Sequence, residues 1–269
     1  MKRGEKTEIS CCEYLRHQYG TERITFRRDG GMDCTKSDIA VVKNGNVEFY
    51  IEVKSKTAQA GQFVLLVDED SGTFVFSKRN HSKENKSVKE IIKYMNSDFA
   101  KFKNAGTAGV TLEMCPDVFA SWVIDHYKEK NVRYVVCQRK CEYIIFPIQK
   151  MSEYFNITAK YRVKSSGPPS ISQKDTLALK EKMLSLHSFA KCFMEDGKLY
   201  VVANGDLKRD EFLFEENTYY FSRQEDRGDN VYRVKRRSKT KNMNVIFSVK
   251  LKRSQNTLDL EEFERILRQ

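Results

Sequence analysis

The chain is 269 residues long and carries 48 lysines and arginines against 37 aspartates and glutamates, a net charge of +11. Hydrophobic residues make up 40% of it, enough for the core of one large domain or two modest ones, and no run of eighteen apolar residues supports a transmembrane helix. No apolar stretch follows Met1-Lys2-Arg3, so a secretory signal is not expected and the cytoplasm is. The seven cysteines are scattered, form no Cys-x-x-Cys pair and show no zinc spacing with the four histidines, which suits reduced thiols.

Glu5 to Tyr19 sets Ile9, Cys12, Leu15 and Arg16 at helical spacing and stops at Gly20, a C-cap residue. Glu22–Arg28 alternates and ends at Gly30-Gly31, which predicts a first strand. Ile39–Val42 and Val47–Val53 flank Asn44-Gly45-Asn46, a hairpin signal. Phe63–Val67 and Thr73–Ser77 predict a further strand pair around Asp68-Glu69-Asp70, a solvated turn. A helical stripe runs through Ile91, Ile92, Met95, Phe99 and Phe102, and a second helix spans Asp117–Lys130 with Val118, Trp122 and Tyr127 on it. Arg133–Cys137 and Tyr143–Phe146 are predicted strands, and Pro147–Phe155 a short helix.

Two of the four prolines fall in Tyr161–Pro169, which predicts a loop or hinge. After it come a helix at Lys174–Leu186, strands at Leu199–Ala203, Thr218–Ser222, Tyr232–Lys235 and Val245–Leu251, and a closing helix at Leu258–Leu267. This order predicts an α/β protein, more closely an α+β mixed sheet covered by helices, with a core over residues 1–156 and a C-terminal α/β extension over 157–269.

The hairpin is the most informative stretch for function. Asp38 opens its first strand, and Glu52-Val53-Lys54 closes the second. Antiparallel pairing brings those ends together, and side-chain alternation puts Glu52 and Lys54 on one face. Two carboxylates so placed make a hard oxygen site suited to Mg²⁺, and a neighbouring ammonium can hold a phosphate or polarise a water.

Asp38, thirteen intervening residues and Glu52-x-Lys54, set in strand-turn-strand context after a helix, resemble the motif of the PD-(D/E)XK nucleases, with Ser37 where a proline is usual. Gly4-x-x-x-Glu8 followed by a basic strand and Gly30-Gly31 is similar to archaeal Holliday junction resolvases. Glu52-Val53-Lys54-x₄-Gln59-Ala60-Gly61-Gln62 looks like a segment of type II restriction endonucleases. The resemblance implies a restriction-endonuclease-like αβββαβ core and a Mg²⁺-dependent endonuclease acting on double-stranded DNA. Asp38, Glu52 and the Val53 carbonyl would hold the metal. Lys54 would position the attacking water, and Glu8 and Gln62 would support the site. The products would be a 5′-phosphate and a 3′-hydroxyl.

Three function classes follow: a type II restriction endonuclease, a structure-specific junction resolvase, and a non-catalytic DNA-binding protein on a nuclease fold. The first implies a homodimer on a palindrome. Among the other acids, Asp33 is a candidate second ligand or a turn residue, and Glu48 reads as surface. His81 lies in the polar loop Lys78–Lys83, and is a candidate catalytic histidine or part of a flexible or DNA-facing segment, the second reading preferred.

Residues 231–253 hold Arg233, Lys235, Arg236, Arg237, Lys239 and Lys241 among nine cations and no acid. That run predicts a hairpin with a basic tip that grips phosphates, with Arg162 and Lys164 adding to the same surface.

Overall fold

The computed structural model describes residues 3–30, 37–140, 142–165, 167, 169, 171–185 and 189–269. In chain order it opens with α1 (Arg3–Tyr19), β1 (Ile24–Arg28), β2 (Ile39–Lys43), β3 (Asn46–Ser55), β4 (Thr57–Asp68) and β5 (Thr73–Phe76). There follow α2 (Lys86–Ser97), α3 (Phe99–Lys103), β6 (Val110–Thr111), α4 (Pro116–Lys128), β7 (Val132–Arg139) and β8 (Glu142–Pro147). A 3₁₀ turn at Ile148–Lys150 leads into α5 (Met151–Tyr154), β9 (Phe155–Ser165), α6 (Gln173–Ser185), β10 (Phe189–Glu195) and β11 (Lys198–Ala203). The chain closes with β12 (Glu211–Phe214), β13 (Asn217–Arg223), β14 (Val231–Arg236), β15 (Lys241–Leu251) and α7 (Thr257–Arg268).

The chain divides into two compact units, residues 1–163 with 243–269, and residues 164–242. The division departs from the single boundary expected at 156: the last 27 residues rejoin the first unit. They are held there by α7, whose Phe263 and Leu267 pack with Tyr134 under the first sheet. Burying each of those side chains contributes about 1.5–3 kcal/mol. Gln255 adds a brace at the β8 edge, accepting from the Ile145 N–H at 2.7 Å and donating to its carbonyl at 2.9 Å.

The first unit holds two five-stranded sheets. The first has the order β1-β2-β3-β7-β8, antiparallel except where β3 and β7 run parallel through a crossover that includes α4. Helices cover both its faces. Cys11, Cys12 and Leu15 of α1 and the α7 residues pack on Ile39, Val41, Ile51, Val53 and Val136. On the opposite face Trp122, Val123 and Tyr127 of α4 pack with Val135 and Cys137. The second sheet runs β5-β4-β15-β9-β6 and shares that second core through Phe63, Phe155, Ile157, Tyr161 and Phe247. The β2–β3 turn has Asn44 at φ 49° and Gly45 at φ 84°, the paired positive angles of a type I′ turn.

The second unit is built on a third sheet, wholly antiparallel, of order β10-β11-β14-β13-β12. Leu179 and Met183 of α6 pack on Leu199, Val201, Tyr219, Tyr232 and Val234 on one face of it.

Three expectations are corrected. The loop expected from Tyr161 is instead the end of β9, an 11-residue strand whose Phe155, Ile157, Ala159 and Tyr161 are buried in alternation. The single helix expected from the Ile91–Phe102 stripe is two helices, broken at Asp98 (φ −137°, ψ 56°), whose carboxylate caps the second by accepting from the Lys101 N–H. The basic run 231–253 is not a hairpin. β14 is flanked by β11 and β13 in the third sheet, whereas β15 pairs with β4 in the second. Each strand has apolar residues that satisfy a different core: Tyr232 and Val234 in one, Val245, Phe247 and Val249 in the other.

Candidate active site

The β2–β3 hairpin builds the site. Asp38 sits at the mouth of β2, where its carbonyl accepts from the N–H groups of Asp29 and Gly30, both at 3.1 Å. Ile39 pairs with Ile51 across the hairpin, so Asp38 falls beside the end of β3. Its Oδ2 accepts from the Val53 N–H at 2.8 Å. On β3, Ile51 and Val53 point into the core beneath α1, which turns Glu52 and Lys54 to the opposite face, toward α4. Both are buried, at 7% and 8% exposure.

Their charges are paired. Lys54 Nζ donates to Glu52 Oε1 at 2.5 Å, and Ser37 donates its hydroxyl to Glu52 Oε2. The ammonium also lies 5.3 Å from the centroid of the Tyr127 ring, which α4 presents from below. Burial acts to raise Glu52, but Lys54 and the Ser37 hydroxyl outweigh it and hold the carboxyl below its ordinary value. Burial acts to lower Lys54, yet the Glu52 charge holds it well above the usual lysine range. For Asp38 the Lys54 charge and the Val53 N–H act to lower the carboxyl but are outweighed. Burial, and then the Glu52 charge, push its carboxyl up to about 8. Glu8 of α1 pushes the same way and is 3.7 Å from Arg28.

Two neighbouring acids, one of them driven toward its neutral form, are a donor set that a hard divalent cation would relieve. Asp38 and Glu52 are the two carboxylates that would hold such an ion, with both Glu52 oxygens taken here by Lys54 and Ser37. No cluster of three or more acids, histidines or cysteines that could hold a metal occurs among the described residues, and Asp33 lies outside them. Val53 meets Asp38 through its N–H. Gln62 stands apart from this network: its side chain accepts from Gln59 at 3.4 Å, and it lines a separate cleft beside β4.

Ser37 and Tyr127 belong to the site and carry no role in the sequence reading. Ser37 had a signal, since it directly precedes the first acid; Tyr127 had none beyond its place on an apolar helix face.

The basic residues fall into two groups. Arg162 and Lys164 sit on β9, the first with a buried Nε that has no hydrogen-bond partner and the second exposed. On β14, Arg233 and Lys235 alternate with the core residues Tyr232 and Val234 and so face away from α6. Lys235 donates to the Ser222 hydroxyl at 2.9 Å. Arg237 pairs with Glu211 and covers the Tyr220 ring at 4.5 Å. Lys239 and Lys241 are exposed, and Arg236 is half-buried. Of the five described cysteines, all free, Cys11, Cys12 and Cys137 are buried.

No protein-family model matches the chain, and no curated protein matches it. Among solved structures the chain is similar to HhaI endonuclease in complex with DNA, with a TM-score of 0.80 and 29% identity, the match covering 100% of both chains. The mixed α/β fold with several sheets is thus one that this chain shares with that endonuclease over its full length.

Proposed function

We propose that this protein is a Mg²⁺-dependent endonuclease that hydrolyses phosphodiester bonds in double-stranded DNA at a specific sequence, in the manner of a type II restriction endonuclease. The observation that carries this reading is the convergence of Asp38, Glu52 and Lys54 at one end of the β2–β3 hairpin, within a fold similar throughout to a DNA-bound endonuclease. The order α1-β1-β2-β3 followed by α4 and a β7 parallel to β3 suits the αβββαβ core that the sequence motif implies.

Asp38, Glu52 and the Val53 carbonyl would hold a divalent ion, which when bound would supply charge neutralisation at the phosphate and acidify water. The protein's own groups do the rest. Lys54, held protonated by Glu52, donates to the water or to the phosphoryl oxygen as charge develops there. Ser37 fixes the second oxygen of Glu52, and Tyr127 closes the floor beneath the ammonium. Glu8 supports the site from α1, while Gln62 lines the separate cleft beside β4. The third sheet, with Arg233, Lys235 and Arg236 on β14 and Arg237 and Lys239 following it, serves as a DNA-recognition surface, and Lys241 of β15 and Arg162 and Lys164 of β9 add phosphate contacts. A homodimer places one such site on each strand of a palindrome.

Digestion of plasmid, unmethylated genomic DNA and a four-way junction in parallel with Mg²⁺ tests the reading. Discrete bands from the first two are expected. Nicks confined to the junction make the protein a resolvase, and no cutting of any substrate makes it a binding protein.

A further inference from the structure

Beside the hairpin, β4 carries a bulge: Phe247 pairs with Gly61 and Ser248 with Gln59, leaving Ala60 over. Gly61 has φ +125°, and a β-carbon there would lie 2.8 Å from Trp122 and 3.3 Å from His126. Only glycine lets these two α4 side chains lie against the strand. They form a column with Phe247: Trp122 stacks on Phe247 at 4.0 Å and His126 on Trp122 at 4.9 Å, the rings within 10° of parallel. The column ends at a cleft of about 500 Å³ that His126 lines, and its buried Nδ1 has no hydrogen-bond partner.

The opposite wall of the cleft is a loop fixed in place by Asn80. Its side chain accepts from the Val64 N–H at 2.7 Å and donates to the Val64 and Ser77 carbonyls at 2.8 and 2.9 Å. That clamp sets Arg79 and His81 across from Lys130, with Glu129 as the sole acid of the lining. The cleft lies within electrostatic reach of the reacting centre: Lys130 lowers Glu52, and Glu52 and Lys54 both act on His126. Burial pushes His126 down to about 4, so the ring is a neutral donor near pH 7.

We infer that this cleft seats a phosphodiester of the DNA strand next to the one being cut, with Arg79 and Lys130 pairing its charge and His126 donating to it as a positioning residue. A cleft with two cations, Arg79 and Lys130, in its lining and a buried ring nitrogen that has no hydrogen-bond partner suits an anion with several acceptor oxygens. The inference rests on the endonuclease reading, and it names a contact that the Asp38–Glu52–Lys54 constellation does not supply.

The test is binding, measured with Ca²⁺ in place of Mg²⁺, so that effects on the chemical step do not enter. His126→Phe keeps the ring column and removes the nitrogen; Arg79→Ala and Lys130→Ala each remove a cation. Against a plain duplex, the Arg79→Ala/Lys130→Ala double variant should show a slope of log affinity on log salt smaller by about two. Duplexes with one neutral methylphosphonate walked across the mapped cleavage position should weaken the wild type about tenfold at one flanking site. At that site the three single variants should lose nothing further. Unchanged salt slopes, or methylphosphonate effects that simply add to each substitution, overturn the inference even if the wild type cuts DNA with Mg²⁺. The endonuclease reading fails separately, if wild-type protein cleaves none of the three DNA substrates.

Discussion

Two acids in the first unit sit near a lysine, Asp259 buried and Asp38 half-buried, and they behave in opposite ways. Asp259, at the start of α7, is 1% exposed and fully satisfied: Lys150 donates to its Oδ1 and the Tyr154 hydroxyl to its Oδ2, each at 2.5 Å. Burial alone would raise it, but those two donors hold its carboxyl below the ordinary range. Asp38 has one backbone donor on Oδ2 and a second carboxylate for a neighbour, and its carboxyl is pushed up to about 8. A structural acid is given as many donors as it has charge to settle. An acid left short of them in a buried setting is a place where a ligand is missing, and strained titration of this kind clusters at functional sites.

The largest effect should separate the two acids by activity. Lys54→Ala and Asp38→Asn should each lower cleavage of a mapped site by about 10³-fold or more, since the first removes the cation that meets charge developing on the phosphate and the second a carboxylate that would hold the metal. Binding to the same DNA in Ca²⁺ should stay within about tenfold. Cleavage near the wild-type rate by either variant removes Asp38 or Lys54 from the chemistry.

The counterpart substitution should act on stability alone. Tyr154→Phe leaves the ring stacked on Phe146 at 4.0 Å but takes one donor from a charged, buried acid. A cost of about 1.5–3 kcal/mol is expected, seen as a lower denaturation midpoint with an unchanged m-value. Cleavage per folded molecule should not change. A loss of specific activity without a loss of stability would mean that the α7 anchor reaches the site.

The two regions also differ in how far the sequence disclosed them. The β2–β3 hairpin was legible because every signal is local: an Asn-Gly turn, two apolar runs and period-two alternation that puts Glu52 and Lys54 together. The Asp259 lock was not, because its partners lie 105 and 109 positions away in sequence. β9 shows the same limit from another side. Phe155, Ile157, Ala159 and Tyr161 alternate as a strand should, but the Gly-Pro-Pro segment that follows drew the boundary too early. The basic run was misjudged because charge does not say which strand a strand pairs with. β14 and β15 are neighbours in sequence and belong to different sheets, a choice made by Tyr232, Val234, Val245 and Phe247. His126 near the end of α4 and Lys130 just past it match no motif; only the Gly61 bulge opposite them gives them a cleft to share.

The smallest expected effect tests the contrast between the acids directly, through pH. Asp38 has its folded pKa raised, from 3.8 to about 8, so the folded state holds its proton where the unfolded chain has released it. Its contribution to stability is therefore full below about pH 4 and is lost as pH rises toward 8. Asp259 and Glu52 have depressed values, so their contributions are already complete above pH 5 and stay flat. His126, lowered to about 4, opposes folding only below its ordinary 6.5. The buried thiols of Cys11 and Cys137 begin to matter only near 9. Between pH 6.5 and 8, then, Asp38 is the acid of this unit that sets the slope. Metal-free wild-type protein should lose thermal stability across that window, and Asp38→Asn should flatten the curve. Millimolar Mg²⁺ should restore the wild type at pH 8, where the carboxylate is free to bind it, and leave Asp38→Asn unmoved. A metal-free wild-type curve already flat from 6.5 to 8 would mean that Asp38 is ionised and satisfied as Asp259 is, and the distinction between the two acids would fall.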